Sequence, residues 1–155
     1  MIKIRAGIEF WGKSFQPGRA EQLTGMVFTE KIEVGDTQKR GQYKAKPTPY
    51  GAASFEPPAR IASSDRVLWL AQQWAGKIDL VRQCGAEDIH FMVIYYHDGQ
   101  CNCALSVEEI KAINALSISY WFSVDRVDDL DGISQNAGII SYFHPFFHSF
   151  AQSSY

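Results

Sequence analysis

The chain of 155 residues has three cysteines, Cys84, Cys101 and Cys103. An odd and small number of thiols does not build a disulfide framework and fits a reducing compartment, so a cytoplasmic protein is expected. A run of 18 apolar residues is also missing, so no helical membrane span is expected. The opening Met1-Ile-Lys-Ile-Arg-Ala-Gly-Ile-Glu-Phe10 breaks its apolar residues with charges and makes no signal-peptide core. Nor is there an excess of one charge. Fifteen Lys and Arg stand against 17 Asp and Glu, a net charge of -2, so no global field draws the chain to nucleic acid or to an anionic membrane. Neither partner is expected. The phosphate-binding patterns Gly-x-Gly-x-x-Gly and the P-loop are absent, as is the Gly-x-Ser-x-Gly nucleophile turn. Internal repeats and low-complexity stretches are absent too.

What is present is a globular composition, with 46% hydrophobic, 14% aromatic and 21% charged residues. A single domain of this length buries about two-thirds of its unfolded surface. The near-zero net charge is a cancellation. Residues 1–50 hold nine basic residues and five acids, whereas residues 51–155 hold six and twelve. The basic residues crowd into Lys39-Arg40-Gly-Gln-Tyr-Lys44-Ala-Lys46 and the acids into Asp125-Arg-Val-Asp128-Asp129-Leu-Asp131. Each is ordinarily a solvated loop, and each is also a patch that a charged macromolecule can meet.

Periodicity places the elements. Ile2, Ile4, Ala6, Ile8 and Phe10 alternate with polar or small residues, which predicts a half-buried strand. Pro17 opens a short helix that closes before Gly25. A strand follows over 26–34, then a proline-punctuated loop from Thr37 to Arg60 with at most an edge strand near Tyr50–Phe55. Val67, Leu70, Ala71, Trp74, Ile78 and Val81 form one apolar stripe, predicting a helix from Ser63 to Cys84. Residues 88–96 read as a buried strand, and Asp98-Gly99 as a hairpin turn returning through a short strand at Cys101–Leu105. Ser106-Val-Glu-Glu109 is a capping box that opens a short helix, and Ser117–Val124 is the last strand. This order predicts an α+β fold, an antiparallel sheet of five to six strands with two to three helices on one face. It spans residues 1–127. Residues 128–155 read as an extension, because Gly132 to Tyr155 carries no Asp, Glu, Lys or Arg while holding Ile139, Ile140, Tyr142, Phe143, Phe146, Phe147, Phe150 and Tyr155. A tail this apolar is expected to pack on its own domain or on a partner.

Chemistry-bearing groups are sparse. His144-Pro-Phe-Phe-His148 has metal-ligand spacing but lacks the Glu of the zinc-protease motif, and an amphipathic tail with histidines at its polar margin is the simpler reading. His97, Cys101 and Cys103 meet around one turn, yet a structural zinc needs a fourth ligand. Asp125, Asp128, Asp129 and Asp131 lack the glycine and terminal glutamate of a calcium loop. No metal, cofactor or catalytic residue is therefore assigned. The adjacent ring pairs Tyr95-Tyr96 and Trp121-Phe122 send one ring of each pair to either sheet face. Only Arg126 stands close enough to interleave, so a stacking platform for single-stranded nucleic acid is not expected. Tyr96 and Trp121, with the four aspartates, are the expected partner-binding residues.

Three pieces of the sequence resemble an uncharacterised bacterial family of small α+β domains. They are Ile4-Arg-Ala-Gly-Ile-Glu-Phe-Trp-Gly12 leading to Pro17–Leu23, the stretch Arg66-Val-Leu-Trp-Leu-Ala-Gln-Gln-Trp74, and Leu105–Tyr120. The resemblance covers residues 2–127 and brings no catalytic residue with it. Domains of this style resemble immunity proteins, which implies a non-enzymatic function, binding and neutralising a cognate bacterial toxin by occluding its active site. Acidic groups would compete there for a nuclease's basic cleft. The alternatives are a metal-binding protein or enzyme using His97, Cys101, Cys103, His144 and His148, and a homodimer that exchanges its tails.

Overall fold

The computed structural model describes residues 2–126 apart from 40 and 42; Asp128, Asp129, Asp131, His144 and His148 lie outside the described residues. The elements run β1 (Ile2–Gly12), α1 (Pro17–Thr24), β2 (Glu30–Ile32), β3 (Gly51–Phe55), a 3-10 turn (Ser63–Asp65), α2 (Arg66–Trp74), α3 (Ile78–Gln83), β4 (Asp88–His97), α4 (Val107–Ala115) and β5 (Ser119–Arg126). The strands form a five-stranded sheet in the order β2-β3-β1-β4-β5. The fold is α+β, as the sequence predicts, with two differences. The sheet is mixed, because β5 runs parallel to β4, and four α-helices are present among the described residues.

The parallel pair corrects the hairpin at Asp98-Gly99. Residues 98–106 form no strand. The chain instead crosses over through α4, because parallel neighbours require a crossover connection. Three further boundaries move. The 63–84 helix divides after Trp74, where Gly76 adopts φ of +74° and turns the chain between α2 and α3. The second strand shrinks to Glu30–Ile32. Gly51–Phe55, expected as an edge strand at most, is instead an interior strand with all five residues buried. Its first residue is small for a reason: a Cβ on Gly51 would lie 2.0 Å from the Phe15 carbonyl oxygen.

Register fixes which side chain faces where. Ala6, Ile8 and Phe10 of β1 pair with Val93, Phe91 and Ile89 of β4 and join Ala53 and Phe55 of β3 in one core. Val67, Leu70, Ala71 and Trp74 of α2, Ile78 and Val81 of α3, Ala20 of α1 and Ile113 of α4 belong to that same core. All four helices thus cover one face of the sheet. Pro17 at the start of α1 and the left-handed Gly25 after it bound that helix. α4 is capped by a complete capping box: the Glu109 N–H donates to Ser106 Oγ at 3.1 Å, and the Ser106 N–H donates to Glu109 Oε2 at 2.7 Å. Ser106→Ala is expected to cost ~1 kcal/mol by leaving the first-turn N–H groups to water, read as a lower urea midpoint at unchanged m. No described helix is long and apolar enough to cross a membrane.

Candidate functional site

The positions facing away from the helices alternate along each strand: Arg5, Gly7, Glu9 and Trp11 on β1, His90, Met92, Ile94 and Tyr96 on β4, Ala52 and Ser54 on β3, and Trp121, Ser123 and Asp125 on β5. A polar row crosses this face, since Glu9 is in register with Ser54 on one side and His90 on the other, and Glu30 of β2 pairs with Ser54. Glu9 is 3% exposed and Ser54 is fully buried. Among the described residues neither Glu9 Oε1 nor Ser54 Oγ finds a hydrogen-bond partner. Burial pushes the Glu9 carboxyl up to about 8, Arg5 opposes that rise, and Glu56 and Glu30 add to it. The group is therefore largely protonated at neutral pH. Burial likewise holds the His90 imidazole below its ordinary value, against the pull of Asp88. Beside the row, Arg5 grips Glu56 through two bonds, Nη2 to Oε1 at 2.7 Å and Nε to Oε2 at 3.1 Å. That bidentate geometry engages the Arg5 cation within the protein. A protonated carboxyl can donate one hydrogen bond, and Glu9 is nearly fully buried.

Of the expected partner-binding residues, the structure brings three to this face. Tyr96 pairs directly with Asp125 across β4 and β5, and Trp121 pairs with Met92. They differ in access. Tyr96 is buried, whereas Trp121 and Asp125 are half-buried, and the Trp121 ring lies 4.9 Å from that of His90.

The helix-side edge of β5 is more open. Tyr120 is 39%, Phe122 47% and Val124 44% exposed. Tyr120 rests on Phe91 at 6.5 Å and Phe122 on Tyr95 at 5.1 Å between ring centroids. Burial of its hydroxyl, with Tyr95 and Glu109 nearby, pushes Tyr120 up to about 12. Val107 and Ile110 of α4 are exposed as well. Among the described residues β5 has a sheet neighbour on one side only, which makes it an edge strand of the described sheet.

The cysteine cluster comes together differently from the sequence expectation. Cys101 and Cys103 are free thiols whose sulfurs lie 3.0 Å apart, sharing a hydrogen bond, which with burial pushes the Cys103 thiol up to about 11. A thiol held protonated is a poor metal ligand. The His97 ring donates from Nδ1 to the Gly99 carbonyl within its own turn. Among the described residues, no group of three or more His, Cys, Asp and Glu is placed to hold a metal ion.

Sequence reasoning missed Glu9, Ser54 and Glu30. The signal for Glu9 was available, because Ile8-Glu-Phe-Trp11 sets a carboxylate on the second face of a strand with bulky neighbours. Reading that face as solvent-exposed hid it. No protein-family model, curated protein or solved structure matches the chain.

Proposed function

We propose that this chain is a non-catalytic protein-binding domain of immunity type, which neutralises a protein toxin by docking on it through the β5 edge. The observation that carries the reading is that β5, eight residues long, has a sheet neighbour on one side only among the described residues and carries the partly exposed Tyr120, Phe122 and Val124. An unpaired edge adds a strand from a partner through main-chain hydrogen bonds, while side chains on alternate positions supply selectivity. Tyr and Phe at such an edge are the residue types that supply binding energy at low entropic cost. Asp125 continues the same strand and begins the acidic run to Asp131, which suits a partner with a basic cleft.

Co-expression with the product of the adjacent gene tests it. The expected outcome is a one-to-one complex and protection of the host cell from that product. Phe122→Asp should weaken the complex at least ~30-fold, the effect of losing a central aromatic anchor. Val27→Asp, at an exposed site on the loop after α1, should leave it unchanged. An adjacent product that neither binds nor is neutralised overturns the proposal.

A further inference from the structure

The connection between β4 and α4 carries two thiols that the proposed recognition surface does not use. In the strand that the sequence predicts over 101–105, Cys101 and Cys103 would stand on one face with Cα atoms about 7 Å apart, at the limit that a disulfide bridges. Residues 98–106 instead form no strand, and the loop brings the two sulfurs to 3.0 Å. The loop is held at both ends. The His97 ring bonds the Gly99 carbonyl at its start. At its far end the Tyr95 hydroxyl donates to the Ala104 carbonyl at 3.2 Å, and the capping box fixes Ser106. Cys101 and Cys103 are half-buried, with Asn102 exposed between them and Ala104 exposed after them. Cys84 differs, being 3% exposed within the core, where burial raises its thiol.

We infer that Cys101 and Cys103 are a site of reversible disulfide formation, exchanging with low-molecular-weight disulfides of the glutathione class. The inference is independent of the toxin-binding proposal. The two sulfurs already stand at the ~3–3.5 Å separation of reacting atoms, and closing the bond moves them together by only ~1 Å. The hydrogen bond to Cys101, with desolvation, pushes the Cys103 thiol up to about 11, which makes Cys101 the sulfur that attacks first. Cys101 gives its proton to water, and its thiolate attacks one sulfur of the small disulfide R–S–S–R. That S–S bond breaks, RS⁻ leaves with the electron pair and takes up a proton, and a Cys101–S–S–R mixed disulfide remains. Cys103 then loses its proton and attacks Cys101 Sγ, expelling the second RS⁻, which is protonated in turn. Two thiols are oxidised and R–S–S–R is reduced to two RSH. A disulfide half-exposed in a loop belongs to the labile class, so reduced glutathione reopens it.

The test treats the reduced, folded full chain with oxidised glutathione, then unfolds and alkylates it for intact-mass and peptide analysis. The expected product is a monomer lighter by two hydrogens, with Cys101 joined to Cys103 and one alkylated cysteine, Cys84, in place of three. Reduced glutathione should restore all three. Cys103→Ser should stop at the mixed disulfide and accumulate a glutathione adduct on Cys101, whereas Cys101→Ser should react at least ~tenfold more slowly. Three alkylated cysteines after treatment, a disulfide that uses Cys84 or joins two chains, or a lasting glutathione adduct on the unsubstituted chain would each overturn the inference. Equal rates for the two serine variants would overturn the order of attack.

Discussion

Replacing Glu9 by Gln should flatten the pH dependence of stability between about pH 5 and 8 and raise stability at neutral pH. The sign follows from the proton balance. The carboxyl holds its proton up to about 8 in the folded chain, against an ordinary 4.5, so in that interval the native state binds more protons than the unfolded state. Stability from this group is full below about 4.5 and falls as pH rises towards 8, because the unfolded carboxyl ionises freely in water over that interval while burial keeps the folded one protonated. The whole difference is on the order of 5 kcal/mol, and by pH 7 roughly 3 kcal/mol of it has been lost. The amide of the Glu9→Gln variant stays neutral at every pH, so the variant should exceed wild type by about that amount at pH 7 and match it within ~1 kcal/mol at pH 5. Urea unfolding at pH 5, 6, 7 and 8 checks this. Parallel curves for the two proteins would show that Glu9 does not carry the buried proton.

The second large effect is at Trp74. It is fully buried at the end of α2, with its ring 5.0 Å from Phe10, 5.3 Å from Phe55 and 6.0 Å from Phe28, the last nearly parallel. Trp74→Ala removes the centre of this cluster, and the separate segments that carry its neighbours hold them too firmly to close the gap. A loss of about 3–5 kcal/mol is expected, which for a domain of this size lowers Tm by on the order of 10 °C. Trp69, half-buried and stacked on Phe55 at 6.4 Å, should cost less than half as much when replaced by Ala. Equal losses at the two positions would mean that the cluster is not the centre of the core. Differential scanning calorimetry of both variants separates the cases.

Much of this core was legible because side-chain period survives any error in element ends. The β1 alternation, the stripe from Val67 to Val81, the Pro17–Gly25 bounds and the Ser106 capping box all reappear in the structure, since each depends on residues within a few positions of one another. Non-local pairing was less legible. Asp98-Gly99 is a strong local turn signal, yet the strand that pairs with β4 is Ser119–Arg126, reached through α4. The all-buried β3 was hidden by its small residues, which carry little hydrophobic signal and are required by the approach of the Phe15 carbonyl to Gly51. At the site, the split of Tyr95 from Tyr96 and Trp121 from Phe122 followed from strand geometry alone. Which ring of each pair is open did not, because exposure depends on what covers each face. The residue pattern points to Tyr96 and Trp121 as the partner surface; the structure leaves Tyr120 and Phe122 the more open pair.

The most direct test of the β5 edge as the recognition surface is amide hydrogen exchange of the free chain and of its complex with the adjacent gene product. The amides of Ser119–Arg126 that are not bonded to β4 should slow by at least tenfold on binding, the set bonded to β4 should change little, and Phe122→Asp should abolish the slowing. Protection that falls elsewhere while the β5 amides keep their free-state rates would contradict the account.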